Sequence, residues 1–182
     1  MEKHIFLNGF MGAGKSRIGP LLAELMNCPF YDTDKLIEKS VGKKIAKIFK
    51  DEGEAFFRKL ESEKIIELAA KKDKAVISLG GGALTYPQNK TLAEKAGIVV
   101  YLNSSAEVIF NRVKHTKKRP LLNVPRDENF EENLLKRIKE LLDARKEIYE
   151  SAHIIVQRDN HEPSEIAETI RREILKYENN KR

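Results

Sequence analysis

An apolar run, Ile5-Phe6-Leu7-Asn8, opens into Gly9-Phe10-Met11-Gly12-Ala13-Gly14-Lys15-Ser16, and a helical pattern follows at once. The octapeptide meets G-x-x-x-x-G-K-[ST] at every fixed position, in the strand–loop–helix setting that the pattern requires. Glycines allow backbone conformations in which several N–H groups converge on phosphate oxygens. The start of the following helix adds a partial positive charge. Lys15 is then expected to bridge the β- and γ-phosphates of a nucleoside triphosphate, with the Ser16 hydroxyl on Mg²⁺. Gly12, Ala13, Gly14, Lys15, Ser16 and Arg17 form the expected nucleotide-binding set.

The rest of the chain alternates in the same manner. Short apolar runs at His4–Asn8, Pro29–Tyr31, Ala75–Leu79, Ile98–Leu102 and Ile154–Gln157 read as strands. Helical patterns lie near Lys15–Met26, Asp34–Ser40, Lys44–Lys50, Glu54–Lys71, Ser105–Lys114, Glu131–Glu150 and Pro163–Tyr177. Near-continuous apolar strands separated by helices predict an α/β fold with a parallel sheet covered on both faces. Residues 34–71 hold helices and no strand, too much for one crossover, and predict an inserted helical region. Residues 115–129 carry Pro120, Pro125 and clustered cations with no sustained apolar period, the pattern of either a lid, here over residues 112–126, or a disordered loop. Pro20 stands inside the first helix, where it cannot donate to the Ser16 carbonyl.

The length of 182 residues suits a single domain over 1–182. No apolar run approaches the about 18 residues a membrane span needs, and the N-terminus carries no basic region followed by a cleavage site. Cys28 is the one cysteine, so no internal disulfide forms. A cytoplasmic, reducing setting is expected, with Cys28 a small core residue beside a turn at Pro29. Charges of 34 − 28 = +6 are interleaved in sign, as in Glu61-Ser62-Glu63-Lys64, which reads as an ion-paired surface and not a nucleic-acid face.

The phosphate loop does not by itself name a reaction. Neither Asn89-Lys90 nor Asn180-Lys181 continues to the x-Asp that reads guanine. The Ala75–Leu79 strand ends in Gly80-Gly81-Gly82 without the acid a motor-type ATPase places there. Asp32 and Asp34, at the end of the second strand, are the candidate carboxylates. Residues two apart on an extended segment point the same way, so one faces Mg²⁺ and the other an acceptor hydroxyl whose proton it accepts. Asp34 also has the alternative of capping the next helix. Gly80, Gly81 and Gly82 imply close backbone approach to a ligand or a tight turn. Arg58 lies three and four residues from Glu61 and Glu54. It is either a surface ion pair or an arginine held ready for a substrate carboxylate, which it takes bidentately.

Taken in order, these residues resemble the shikimate kinases. The likeness runs through the phosphate loop, Tyr31-Asp32-Thr33-Asp34, Gly42 with Ile45-Ala46 and Phe49, and Gly53-Glu54-x-x-Phe57-Arg58-x-x-Glu61. It continues through the glycine triplet, Arg119-Pro120-Leu121-Leu122, and Arg145 with Tyr149 and Ala152. It implies a P-loop fold like the nucleoside-monophosphate kinases, with a five-stranded parallel sheet flanked by helices, a helical substrate-binding insertion and a mobile lid. It implies ATP as co-substrate, Mg²⁺ as cofactor, shikimate as acceptor and a monomer. Asp34, Arg58, Gly81 and Arg145 would hold shikimate, with Asp34 on the hydroxyl and the arginines on the carboxylate. Asp32 would help hold Mg²⁺ through water, Arg119 would reach the ATP phosphates from the lid, and Arg112 would pack on adenine.

Two rivals differ in what they predict. A gluconate-type kinase of the same fold carries Gly-Asp-x-Leu-His where this chain reads Asp32-Thr33-Asp34-Lys35-Leu36. A non-catalytic, ATP-dependent nucleic-acid-binding protein would show polynucleotide affinity that falls steeply with salt.

Overall fold

Five parallel strands form one sheet in the order β2-β3-β1-β4-β5. In chain order the elements are β1 (His4–Asn8), α1 (Lys15–Leu25), β2 (Phe30–Asp32), α2 (Thr33–Val41), α3 (Ile45–Ala69) and β3 (Val76–Ser78). Then come α4 (Pro87–Ala96), β4 (Gly97–Asn103), α5 (Ala106–Val113), α6 (Phe130–Asp143), α7 (Lys146–Glu150), β5 (Ile154–Gln157) and α8 (Pro163–Asn179). Single 3-10 turns cover Ala83–Thr85 and Pro120–Leu122. The computed structural model describes residues 3–116 and 120–180.

Strand alternation splits the core into two layers. Ile5 and Leu7 of β1 face α1 and α8, where Ile18, Leu22, Ile166, Ile170 and Ile174 are buried. The four-residue spacing of the α8 isoleucines puts them on one face of that helix. Phe6, between Ile5 and Leu7, faces the other way, onto Ile65 and Leu68 of α3 and Ala93 of α4. Each such aliphatic side chain contributes about 1.5–3 kcal/mol on burial, so both layers hold the sheet between helices. Among the described residues no helix is long and apolar enough to cross a membrane.

The sheet register explains why motifs far apart in sequence meet. Leu7, Ser78 and Asp32 are paired level with one another across β1, β3 and β2. The residues that follow them, the phosphate loop, the glycine triplet and Asp34, therefore leave the sheet at the same carboxyl edge. The Thr33 hydroxyl, donating to the Ser78 carbonyl at 3.1 Å, ties two of these exits together. Open parallel sheets bind ligands at this edge.

Several elements differ from the sequence reading. The helix α4 has no counterpart in it, because Pro87–Ala96 is mostly polar and buries only Asn89 and Ala93. The pattern near Glu131–Glu150 divides into α6 and α7 at Arg145, whose backbone has left the helical region. The stretches 44–50 and 54–71 form one helix, α3, broken in its backbone at Gly53 (φ 83°, ψ 172°). No strand interrupts α2 and α3, and both lie between β2 and β3. Pro20 sits on the exposed side of α1, and Cys28 is half-buried against the α1–α8 layer.

Candidate active site

All three glycines of the phosphate loop have a positive φ: Gly9 (φ 147°), Gly12 (φ 88°) and Gly14 (φ 97°), the last being the N-cap of α1. A side chain at any of them would be strained. Lys15 is buried and its ammonium donates to the carbonyls of Gly9 at 2.6 Å and Phe10 at 3.2 Å, so it is already folded over the loop. Ser16 and Arg17 are exposed at the start of α1. Arg112, near the end of α5, donates to the Gly12 carbonyl at 3.1 Å, which brings it to the rim of the same loop. Burial, with Arg158 next, lowers its guanidinium from the ordinary value.

The two strand-end carboxylates have separate surroundings. Asp32 is buried and caps α2, its Oδ1 accepting from the Lys35 N–H at 3.3 Å. Its Oδ2 accepts from the Ser16 hydroxyl at 2.7 Å. Capping therefore falls to Asp32 and not to Asp34, the residue for which it was an alternative. Asp34, in the first turn of α2, is half-buried and directs Oδ1 towards Gly80.

Arg58 is 6% exposed, which removes the surface-pair reading. Its Nε and Nη2 donate to Glu54 Oε1 at 3.1 and 2.9 Å, and its Nη1 donates to Glu61 Oε2 at 2.8 Å. Burial works to lower the guanidinium, and the Glu61 and Glu54 carboxylates more than offset it, holding it above its ordinary value. Glu61 is fully buried, and burial pushes its carboxyl up to about 7 against the pull of Arg58. Nearby Asp34 adds to the rise and Arg145 opposes it. The carboxyl, not the guanidinium, bears the burial cost of this pair. Arg58 keeps a second, half-exposed partner in Glu54, while Glu61 Oε1 has no hydrogen-bond partner among the described residues.

The glycine triplet is explained by packing and not by turn conformation, since none of the three has a positive φ. A β-carbon on Gly80 would lie 2.0 Å from Glu61 Oε1 and 3.2 Å from Asp34 Oδ1. On Gly81 it would press on the phosphate loop, 3.2 Å from the Met11 nitrogen and 3.3 Å from the Gly9 oxygen. On Gly82 it would lie 2.7 Å from Arg58 Nη2. The triplet is thus the floor on which Asp34, Glu61, Arg58 and the phosphate loop converge. Arg145, buried at the start of α7, reaches it from the other side, donating to the Gly81 carbonyl at 3.3 Å with its guanidinium over the Phe10 ring.

Ser16, Asp32, Asp34, Arg58, Glu61 and the glycine triplet line a cleft of about 510 Å³, within the range of small-molecule sites, while Arg145 touches its floor at the Gly81 carbonyl and is not part of the lining. Met11, Ser16 and Asp32 line its phosphate-loop end; Asp34, Arg58 and Glu61 line the other, with Thr116, Pro120 and Leu121 at its margin. Arg119, expected to reach the phosphates, lies outside the described residues, as do Lys117 and Lys118. Two features go beyond the sequence reading, which set Glu61 beside Arg58 and named Tyr149 only within the likeness. The complete burial of Glu61 has no sequence signal beyond its spacing from Arg58. Tyr149 stands four residues after Arg145, and its hydroxyl donates to the same Gly81 carbonyl at 2.6 Å; that i, i+4 spacing on a helical segment was the available sign.

Comparison with known proteins agrees with this geometry. The family model described as shikimate kinase matches residues 11–175. A shikimate kinase of Sulfurihydrogenibium sp. is 42% identical over 168 residues, covering 92% of this chain and 95% of its own. That of Thermodesulfovibrio yellowstonii is 41% identical over 179 residues, covering 98% and 99%. Among solved structures, the shikimate kinase of Acinetobacter baumannii in complex with shikimate superposes with a TM-score of 0.88 at 37% identity, covering 97% of this chain and 94% of that one. A gluconokinase of Sinorhizobium meliloti reaches 0.53 at 19% identity, a likeness of fold alone. With the model matched along residues 11–175 and relatives aligned from end to end, the chain belongs to the shikimate kinase family.

Proposed function

We propose that this chain transfers the γ-phosphoryl group of ATP to the 3-hydroxyl of shikimate, giving shikimate 3-phosphate and ADP, a step of aromatic amino acid biosynthesis. One observation carries the reading: two buried arginines, Arg58 and Arg145, converge with Asp34 on the glycine floor that abuts the phosphate loop. A small alcohol bearing a carboxylate matches that set. The arginines take the carboxylate, and Asp34 accepts or orients the proton of the hydroxyl.

Phosphoryl transfer needs positioning and charge neutralisation more than covalent help. Gly12, Ala13, Gly14, Lys15, Ser16 and Arg17 hold the nucleotide phosphates, with Arg112 beside the base. Ser16 and Asp32 would hold Mg²⁺, Asp32 through water. Their fit rests on two hard oxygen donors already drawn together at 2.7 Å. When bound, the ion offsets charge on the phosphate oxygens. Residues 34–71 serve as the substrate-binding region and residues 112–126 as the lid. The lid brings Arg119 to the phosphates and excludes water that would otherwise hydrolyse ATP. The proposed enzyme is a monomer that acts on two small molecules, ATP and shikimate, with no nucleic-acid or membrane partner. The single cysteine suits a cytoplasmic setting.

The test is ADP formation from MgATP with shikimate, gluconate or a nucleoside monophosphate as parallel acceptors. A large rate increase with shikimate alone is expected. An increase with a different acceptor only would assign Arg58 and Arg145 to another ligand, and none with any acceptor would favour a binding protein.

A further inference from the structure

The glycine triplet carries the acceptor end of the site, yet it has no side chain of its own to anchor it. Its anchor comes from α7. Arg145 opens that helix and Tyr149 follows one turn later, so both emerge on one side. Both donate to the same acceptor, the Gly81 carbonyl, at 3.3 and 2.6 Å. A carbonyl oxygen has two lone pairs, and these two donors occupy them. The Tyr149 ring is itself fixed, buried and stacked on Tyr101 with centroids 4.8 Å apart and planes 18° from parallel. Burial pushes its phenol above the ordinary value, so it remains a donor through neutral pH.

What the tyrosine holds is a peptide plane. The Gly81–Gly82 peptide is rigid, so pinning its carbonyl also fixes the direction of the Gly82 N–H. A β-carbon on Gly82 would lie 2.7 Å from Arg58 Nη2, and one on Gly81 3.2 Å from the Met11 nitrogen, so the triplet sits directly beside the Arg58 guanidinium and the phosphate-loop backbone. A rotation of this peptide would therefore move the seats of both arginines, on opposite sides of the loop. Glycine on both sides leaves no steric barrier to such a rotation.

We infer that Tyr149 is a positioning residue for the acceptor: through the Gly81–Gly82 peptide it sets Arg58 and Arg145 on the acceptor's carboxylate. The inference rests on the proposed function in taking a carboxylate-bearing alcohol as acceptor. The carboxylate is remote from the reacting hydroxyl, so the loss falls on ground-state binding, which raises KM and leaves kcat in place.

The experiment compares wild type, Tyr149→Phe and Tyr101→Phe by steady-state kinetics with MgATP and shikimate, and by thermal melting. Tyr149→Phe keeps the ring stack and removes only the hydroxyl. It is expected to raise the KM for shikimate about three- to tenfold, the worth of one hydrogen bond, with the KM for ATP within about twofold and kcat within about threefold. Tyr101→Phe removes a hydroxyl that donates to Asn103 and not to the triplet. It should match Tyr149→Phe in melting temperature while keeping the wild-type KM for shikimate. Unchanged KM in Tyr149→Phe, or equal rises in both KM values, would overturn the inference. A wild-type enzyme that ignores shikimate and phosphorylates another carboxylate-bearing alcohol would refute the acceptor assignment alone. The same KM comparison with that alcohol then decides the role of Tyr149.

Discussion

Glu61 makes stability depend on pH in a direction opposite to that of an ordinary paired carboxylate. In the unfolded chain its carboxyl titrates near 4.5, and in the folded protein burial pushes it up to about 7. Below the lower value both states hold the proton, and Glu61 itself carries no charge into the fold. Between the two values the unfolded chain has lost its proton while the folded chain keeps it, so unfolding gains with every step in pH. At 1.36 kcal/mol per unit, a window of about 2.5 units removes about 3 kcal/mol by pH 8. The stability present in acid is thus lost as pH rises towards and through about 7. Glu61→Gln isolates the effect, because the amide keeps an oxygen for Arg58 and cannot ionise. Urea unfolding of wild type and Glu61→Gln, followed by circular dichroism from pH 4.5 to 8, should show the difference between them moving by about 3 kcal/mol in favour of the glutamine chain. Carboxylates remote from Glu61 titrate alike in the two proteins and cancel. A difference that stays constant across this range would refute the reasoning, since it would mean that Arg58 keeps Glu61 ionised throughout. A shift in favour of wild type would refute the sign.

Gly80→Ala should cost about 1–3 kcal/mol in stability and raise the KM for shikimate, because the added methyl meets Glu61 Oε1 at 2.0 Å. Glu61→Asp in the same chain should recover part of both losses, and a Gly80→Ala enzyme with wild-type melting and KM would show that the triplet is not packed as described. Asp34→Asn should lower kcat by about 10²–10⁴ while nucleotide affinity, measured by ADP titration, is unchanged; near-normal turnover would remove Asp34 from the chemistry. Arg119→Ala should reduce kcat by about 10² without changing the melting temperature, and full activity would leave the lid arginine without a role.

What could be read from sequence follows from how local each constraint is. The phosphate loop was legible because its requirements sit within eight neighbouring residues: positive φ at Gly9, Gly12 and Gly14, and a strand and helix on either side. The strand ends were legible because the apolar runs mark them to within a residue, and a parallel register then carries Asp32, Ser78 and Leu7 to one level. Arg58 marks where this reasoning stops. Spacing puts Glu54 and Glu61 beside it on a helix, but no spacing says which face of that helix another element covers. Only the glycine floor, with Gly80 on Glu61 and Gly82 on Arg58, turns an i, i+3, i+4 charge pattern into a buried cluster. The same holds for the triplet, whose residue type announces a constraint without its kind; the structure resolves it as three close approaches and no left-handed backbone. Tyr149 lies furthest from sequence reach, because its partner stands 68 residues away and is a backbone carbonyl, which carries no residue signature. A side chain that acts on another segment's backbone leaves its trace only in its own conformational neighbours, here the Arg145 one turn before it. Reading that turn as a single two-donor clamp, and not as an arginine with an incidental core aromatic, is what connects the helix to the acceptor site.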